Sequence, residues 1–274
     1  MRDMITPIIL TYNEAPNLLR TLAKLTWARQ IIIIDSFSMD ETLSIAKQFP
    51  QVKVFQRRFD QFADQRNFGS DSCLSDWVLA LDADYVLSDE LLTELQNWEP
   101  ESGVAAYFSR FTYCVSGVPL RISLYPPRPV LFRRDKCRYY RDGHSESLKI
   151  EGRTSWLQNT ILHDDRKPFV RWLAAQDSYA LLEANKLMQC PARQLNLQDR
   201  IRRQILFAPA LVFFYTLFAK GLILDGWVGW YYVFQRTLVE LLISLRLLET
   251  RWGLPTTAKD HEPREEYAPG RTSI

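Results

Sequence analysis

Glycine is scarce in this chain, 10 of 274 residues, and no glycine-rich turn follows the first apolar segment. The stretch that stands there, Thr11-Tyr12-Asn13-Glu14-Ala15-Pro16, is the wrong chemistry for a phosphate loop built on close backbone approach. Cysteine is sparse too. Cys73, Cys114, Cys137 and Cys190 lie far apart with no Cys-x-x-Cys pair, which speaks against zinc and dithiol redox centres and leaves reduced, structural thiols. Net charge is only +2, too small for wholesale wrapping of nucleic acid, although local basic clusters stay open. The first seven residues run into a short apolar strand without the long hydrophobic core of a signal peptide, so the expected location is cytoplasmic.

What is present is length enough for a real core, most naturally one large domain with an appendage. Strand-like and helix-like segments alternate through the first half. Residues 7–12 read as a buried strand, 15–25 as a helix, 30–35 as a second strand, and 52–55 as a third. Ser38 is a plausible cap, with Glu41 three residues on, for a helix running through Lys47. Residues 64–73 read as a third helix and 76–81 as a fourth strand. This rhythm predicts an α/β fold with a mostly parallel sheet covered on both faces.

In such sheets ligands bind beyond the carboxyl ends of the strands. The polar residues ending these strands are Asn13 and Glu14, Asp35, and then Asp82 and Asp84, so all should face one crevice. The run Trp77-Val78-Leu79-Ala80-Leu81 closing on Asp82-Ala83-Asp84 is the strongest single signal. Two carboxylates delivered by a buried strand suit a divalent cation beside a phosphate-bearing ligand; taken alone, Asp-x-Asp also fits an ordinary turn.

The stretch from 103 to 162 contains strand-like runs at 105–108 and 129–132 and suggests an antiparallel elaboration of the first sheet. It carries Arg121, Arg128, Arg133, Arg134, Lys136, Arg138 and Arg141, which fit either a solvated basic face or a phosphate-facing surface. Residues 169–188 have apolar positions at helical spacing. Residues 205–224 hold one charge, Lys220, with Arg200, Arg202 and Arg203 before them and Trp227, Trp230, Tyr231 and Tyr232 after. Pro209 and Gly221 interrupt this run, and helices lying in or dipping into a membrane interface fit it better than a clean span; a buried helix pair or dimer contact is the alternative. The expected organisation is a catalytic domain over 1–168, a helical membrane-interface or oligomerisation region over 169–254, and a polar tail over 255–274.

The order Pro7-Ile8-Ile9-Leu10-Thr11-Tyr12-Asn13-Glu14, Ile33-Ile34-Asp35-Ser36-Phe37-Ser38-Met39-Asp40-Glu41-Thr42, Gln65-Arg66-Asn67 and Leu81-Asp82-Ala83-Asp84 resembles the family 2 inverting glycosyltransferases of GT-A (Rossmann-like) fold. Within them it is similar to the branch containing lipopolysaccharide core β-1,4-glucosyltransferases, over about residues 5–165; Asp225-Gly226 also resembles that branch. The resemblance implies transfer of a hexose from a nucleotide-diphosphate sugar, expected to be a UDP-sugar, to a lipid-linked or lipopolysaccharide-type glycan at the cytoplasmic membrane face. It implies Mg²⁺ or Mn²⁺ as cofactor and no nucleic-acid partner, and leaves open homo-oligomerisation through the C-terminal helices. Thr11, Tyr12, Glu14, Asp35, Arg66 and Asp82 would bind the nucleotide sugar. Asp84 would ligate the metal directly, with Asp82 in its shell and His163 as a further ligand.

For the general base the family places an acid beside a downstream motif, and Asp142-Gly143-His144-Ser145-Glu146 stands there. Glu146 is the expected base with His144 positioning it or the donor, and Asp142 is the alternative. On a strand His144 and Glu146 would share a face. Tyr85 departs from the branch, which frequently has glutamate at that position. Three other readings stay open: a polyprenyl-phosphate glycosyltransferase, a nucleotidyltransferase, and a catalytically silent membrane-docked nucleotide-binding protein.

Overall fold

The computed structural model describes residues 4–142 and 145–254. They form two compact units, residues 4–119 with 124–166 and residues 120–123 with 167–254. The expected tail, 255–274, lies outside the described residues.

The first unit opens with β1 (Ile5–Thr11), α1 (Ala15–Ala23), β2 (Ile31–Asp35), α2 (Thr42–Ala46), β3 (Val52–Gln56), α3 (Phe62–Asp71) and β4 (Trp77–Asp82). It continues with β5 (Tyr85–Leu87), α4 (Asp89–Gln96), β6 (Val104–Ser109), β7 (Phe111–Val115), β8 (Val118–Pro119), β9 (Arg128–Arg133), β10 (Cys137–Asp142), β11 (Ser145–Ile150), β12 (Arg153–Trp156) and β13 (Ile161–His163). Seven strands make the main sheet in the order β12-β6-β9-β4-β1-β2-β3. β1 pairs in parallel with β2 and β4, and β2 with β3, whereas β9 runs antiparallel between β4 and β6. This is the α/β sheet with an antiparallel elaboration that the sequence predicts.

The central strands are continuous apolar runs because both faces are covered: Ile8, Ile9, Ile32 and Ile33 are fully buried. α1 turns Leu18 and Leu22 onto one face of the sheet. α3 lies close on the other, where Gly69 leaves room for Ile34: a Cβ there would meet its side chain at 3.3 Å. α4 has a true N-cap, Ser88 accepting from Leu91 N, with Asp89 and Glu90 in its first turn. Register then sets the site. Thr11 is level with Asp35 and Leu10 with Asp82, so the acids leave the carboxyl edge of the sheet on either side of β1.

The second unit contains α5 (Phe169–Gln189), α6 (Leu197–Arg203), α7 (Phe207–Phe214) and α8 (Gly226–Trp252). Ala180, Ala184, Leu187, Ile205, Val239, Ile243 and Leu247 form its core. Glu240 is buried in it and bound by Arg202 at 2.6 Å, with Glu183 3.5 Å from the same guanidinium. Its surface is apolar over a wide stretch: Leu206, Phe207, Phe214, Phe218, Leu224 and Trp227 are all more than half exposed. Among the described residues no single helix is long and apolar enough to cross a membrane; Phe207–Ala219 and Leu222–Trp252 would suffice together but are bent by 69°. The break falls at Gly221, whose φ of 68° ends the turn before it. α8 is 27 residues long.

Candidate active site

The loops after β1 and β2 are stitched into one ledge. Thr11 Oγ1 donates to Asp35 Oδ1 at 2.9 Å, and Ser38 donates its N and Oγ to the same carboxylate at 2.9 and 2.5 Å. Asn13, in the left-handed region at φ 53°, accepts at Oδ1 from Met39 N at 2.7 Å, while its own N donates to Ser38 Oγ at 2.8 Å. Glu14 N donates to Thr42 Oγ1 at 2.7 Å. Ser38 is therefore not the helix cap expected from its spacing to Glu41: α2 starts four residues later, without a side-chain cap, because the Asp35 carboxylate claims the serine first. Tyr12 and Glu14 are half-buried on the ledge, and Glu14 Oε2 accepts from Asn17 Nδ2 at 2.9 Å. Asp35, expected to meet the base or ribose, is fully buried beneath them. Both its oxygens are bonded within the protein, which leaves it no surface for a ligand in this conformation.

Arg66, on α3, is the hub of the second cluster. Its Nη2 donates to Asp82 Oδ1 at 2.6 Å and its Nε to Glu146 Oε1 at 3.0 Å. The face of Tyr139 covers the guanidinium at 5.6 Å. Burial by itself would lower the Arg66 pKa, but the charges of Asp82, Tyr139 and Glu146 hold it well above its ordinary value. The expected base thus sits on the hairpin of β10 and β11, tied through one arginine to the last residue of β4. Glu146 Oε2 accepts no bond from any described residue, and Glu146 lines a cavity of about 390 Å³. His144 and the Asp142 side chain lie outside the described residues.

Asp84 and His163 form the third cluster. Asp84 follows β4 in a turn, and its Oδ2 lies 3.3 Å from His163 Nε2 at the end of β13, both side chains largely buried. Asp164 N donates to Asp84 O at 3.1 Å, and Arg20 of α1 donates to Asp164 Oδ2 at 2.5 Å, which locks the histidine strand to the Asp-Ala-Asp turn. Tyr85, Tyr113 and Tyr125 surround the imidazole at ring distances of 5.3, 4.9 and 4.4 Å. Tyr85, where the resembled branch has glutamate, is buried and shares a hydrogen bond with the Tyr125 hydroxyl. Burial opposes a charged imidazole, yet the neighbouring Asp84 carboxylate raises the His163 pKa.

Among the described residues no three His, Cys, Asp or Glu side chains converge to hold a metal by themselves. Asp84 and His163 do make a fitting pair: two donors on one ion at about 2.1 Å each, set at right angles, stand about 3 Å apart. Asp82 turns away from them to Arg66, so the three expected ligands split into a pair and a single residue.

Sequence reasoning missed Arg20 and Asp164, which are 144 residues apart, and the tyrosines around His163. No local pattern links them. The four cysteines are free, and burial lifts Cys73 and Cys137 to about 12, as inert structural thiols require.

The model of glycosyl transferase family 2 matches residues 6–152, more than half the chain, and the chain belongs to that family. An uncharacterized glycosyltransferase of Rickettsia felis is 34% identical over 95 residues, which cover 34% of this chain and 33% of that one. Glycosyltransferase SunS of Bacillus phage SPbeta is 33% identical over 89 residues, 31% of this chain and 21% of that one. The matched part thus spans about a third, or less, of the length of these curated relatives. Among solved structures, residues 1–349 of S. aureus TarS in complex with UDP-GlcNAc align over 91% of this chain and 92% of that one, with 13% identity and a TM-score of 0.41.

Proposed function

We propose that this chain is a metal-dependent inverting glycosyltransferase that moves a hexose from a UDP-sugar to a lipid-linked or lipopolysaccharide-type glycan at the cytoplasmic membrane face. One observation carries the reading: Arg66 joins Asp82, at the carboxyl end of β4, to Glu146, whose other carboxylate oxygen is bonded by no described residue. The ledge of Thr11, Tyr12 and Glu14 receives the nucleotide, and Asp35 acts beneath it by fixing Thr11 and Ser38. Asp84 and His163 hold Mg²⁺ or Mn²⁺, which when bound neutralises the leaving diphosphate. Glu146 takes the proton of the acceptor hydroxyl on Oε2 while Arg66 holds Oε1, so the carboxylate keeps one orientation as its charge changes. Inversion follows from attack by that hydroxyl on the sugar face opposite the nucleotide.

The apolar skin of the second unit, with Arg200 and Arg203 nearby in sequence, supports a membrane-surface location through insertion of aromatic side chains and contact of bases with anionic headgroups. Sugar transfer from a panel of UDP-sugars to lipid and lipopolysaccharide-core acceptors, with and without Asp84→Ala, tests the chemistry. The expected result is release of UDP, lost in the variant; undiminished transfer by Asp84→Ala removes the metal assignment, and release of pyrophosphate would indicate a nucleotidyltransferase instead.

A further inference from the structure

The basic stretch of the first unit resolves into different kinds of residue. Arg133 pairs with Asp135 at 2.8 Å and Arg138 with Asp71 at 2.5 Å, both on the surface. Arg128, the first residue of β9, is different. It is half-buried, its guanidinium lies over the Tyr125 ring at 5.4 Å, and among the described residues it makes neither a salt bridge nor a side-chain hydrogen bond. The two nearby carboxylates, Asp82 and Glu146, are already engaged by Arg66. A guanidinium removed from much of its water, near carboxylates bonded to another arginine and without a direct anionic partner among the described residues, is poised for an oxyanion that arrives with a ligand.

The cavity of about 390 Å³ shows where that ligand sits. Arg128 and Arg66 line it with Phe108, Tyr139, Tyr140 and Glu146. Its volume falls within the range of small-molecule sites, roughly 300–1,000 Å³, and aromatic walls with a few charged groups suit a sugar ring carrying a charge. The sheet order separates it from the ledge. β6 and β9 stand on one side of β4, whereas β1 and β2, which carry the Thr11 and Asp35 ledge, stand on the other. The cavity therefore lies across the Asp82-Ala83-Asp84 turn from the ledge, with Glu146 in its wall.

We propose that this cavity is the acceptor site, and that Arg128 binds an oxyanion, phosphate or carboxylate, borne by the acceptor glycan. The inference rests on the glycosyltransferase reading of the site and adds to it the charge of the substrate. A fork of N–H donors against an oxyanion gives a bidentate contact that fixes the acceptor at one end while its hydroxyl meets Glu146 at the other.

The test uses the full chain saturated with UDP and Mg²⁺, so that the donor side is filled, titrated calorimetrically with inorganic phosphate and separately with acetate. Binding in the millimolar range by one or both is expected, and the stronger of the two names the group. In Arg128→Gln that binding should weaken by at least about tenfold with UDP affinity unchanged, as loss of a charge-assisted contact requires. Arg128→Lys, which keeps the charge without the fork, should fall between. Equal anion binding by Arg128→Gln and the native chain, or none by the native chain, overturns the proposal; loss of UDP affinity in Arg128→Gln overturns it in favour of a donor contact. If that variant does not fold, protection of Arg128 in the native chain from phenylglyoxal, read by peptide mass spectrometry, decides the matter, and modification unaffected by phosphate counts against it. Should UDP itself not bind, the glycosyltransferase reading fails, while anion binding without UDP still reports on Arg128.

Discussion

Replacing Arg66 by Met removes the group on which two acids converge, and the cost can be worked from their burial. The Arg66 side chain is 6% exposed, Glu146 9% and Asp82 37%. Breaking a buried ion pair by deleting one partner costs about 3–5 kcal/mol, because the other charge is left uncompensated. Asp82 reaches water, so its share is discounted to about 0–1 kcal/mol. The expected loss is thus dominated by Glu146, and about 3–5 kcal/mol corresponds to a fall in Tm of roughly 6–20 °C for a unit of this size. Urea unfolding measures it as a lower midpoint at unchanged slope. The reasoning also fixes a coupling. In Glu146→Leu the burden is removed with the charge, so Arg66→Met/Glu146→Leu should be more stable than the sum of the single changes predicts, by about 2 kcal/mol or more. Additivity of the two within about 0.5 kcal/mol would mean that Glu146 is well solvated without Arg66, and would refute the account of Arg66 as the element holding the base in place.

Further expectations concern chemistry, the ledge, the helices and the surface. Glu146→Gln retains an oxygen for Arg66 Nε, so the fold and UDP binding should persist while kcat falls by roughly 10²–10⁴; single-turnover kinetics would read this, and a raised KM at unchanged kcat would instead give Glu146 a binding role. Thr11→Val strips one donor from the fully buried Asp35 and should cost about 1.5–3 kcal/mol by chemical unfolding, with no loss meaning that the donors of Ser38, and of Gln56 at 3.5 Å from Oδ2, suffice. In Gly229→Ala the new Cβ would lie 1.9 Å from Leu222 O, so the helical unit should lose about 1–3 kcal/mol or more, measured by thermal melting; a neutral outcome would show that the turn before α8 yields freely. Flotation with anionic vesicles should recover the native chain and lose Phe214→Ser/Trp227→Ser, and equal recovery of both would point away from the apolar face of the second unit.

The parts of this molecule legible in the sequence are those written in short-range periodicity. An unbroken run such as Ile31 to Ile34 has only one comfortable place, the middle of a covered sheet, and the polar residue after it must then emerge at the sheet's edge. Asp35, Asp82 and Asp84 were therefore placed correctly at strand ends from spacing alone. What those acids bond to was not legible. Arg66 reaches Glu146 across 80 residues, and the competition between a helix terminus and Asp35 for Ser38 is decided by three-dimensional proximity. The length of α8 is hidden for another reason. Glu240 and Arg246 look like interruptions of an apolar run, but Arg202 and Asp177 satisfy them inside the helical unit.

That helical unit sets one ionic cluster inside its apolar core and leaves many rings on its outside. The cluster is the one where Arg202 meets Glu240 and Glu183, and the outer rings include Phe214, Phe218 and Trp227. Greasy contact sorts helices poorly when the surroundings are greasy as well, since one apolar neighbour then serves as well as another. A buried arginine with its carboxylates does discriminate, because sliding α6 against α8 by one turn would strand charges on both. The register of these helices is accordingly written in electrostatics, and it would be kept whatever medium the outer rings come to touch.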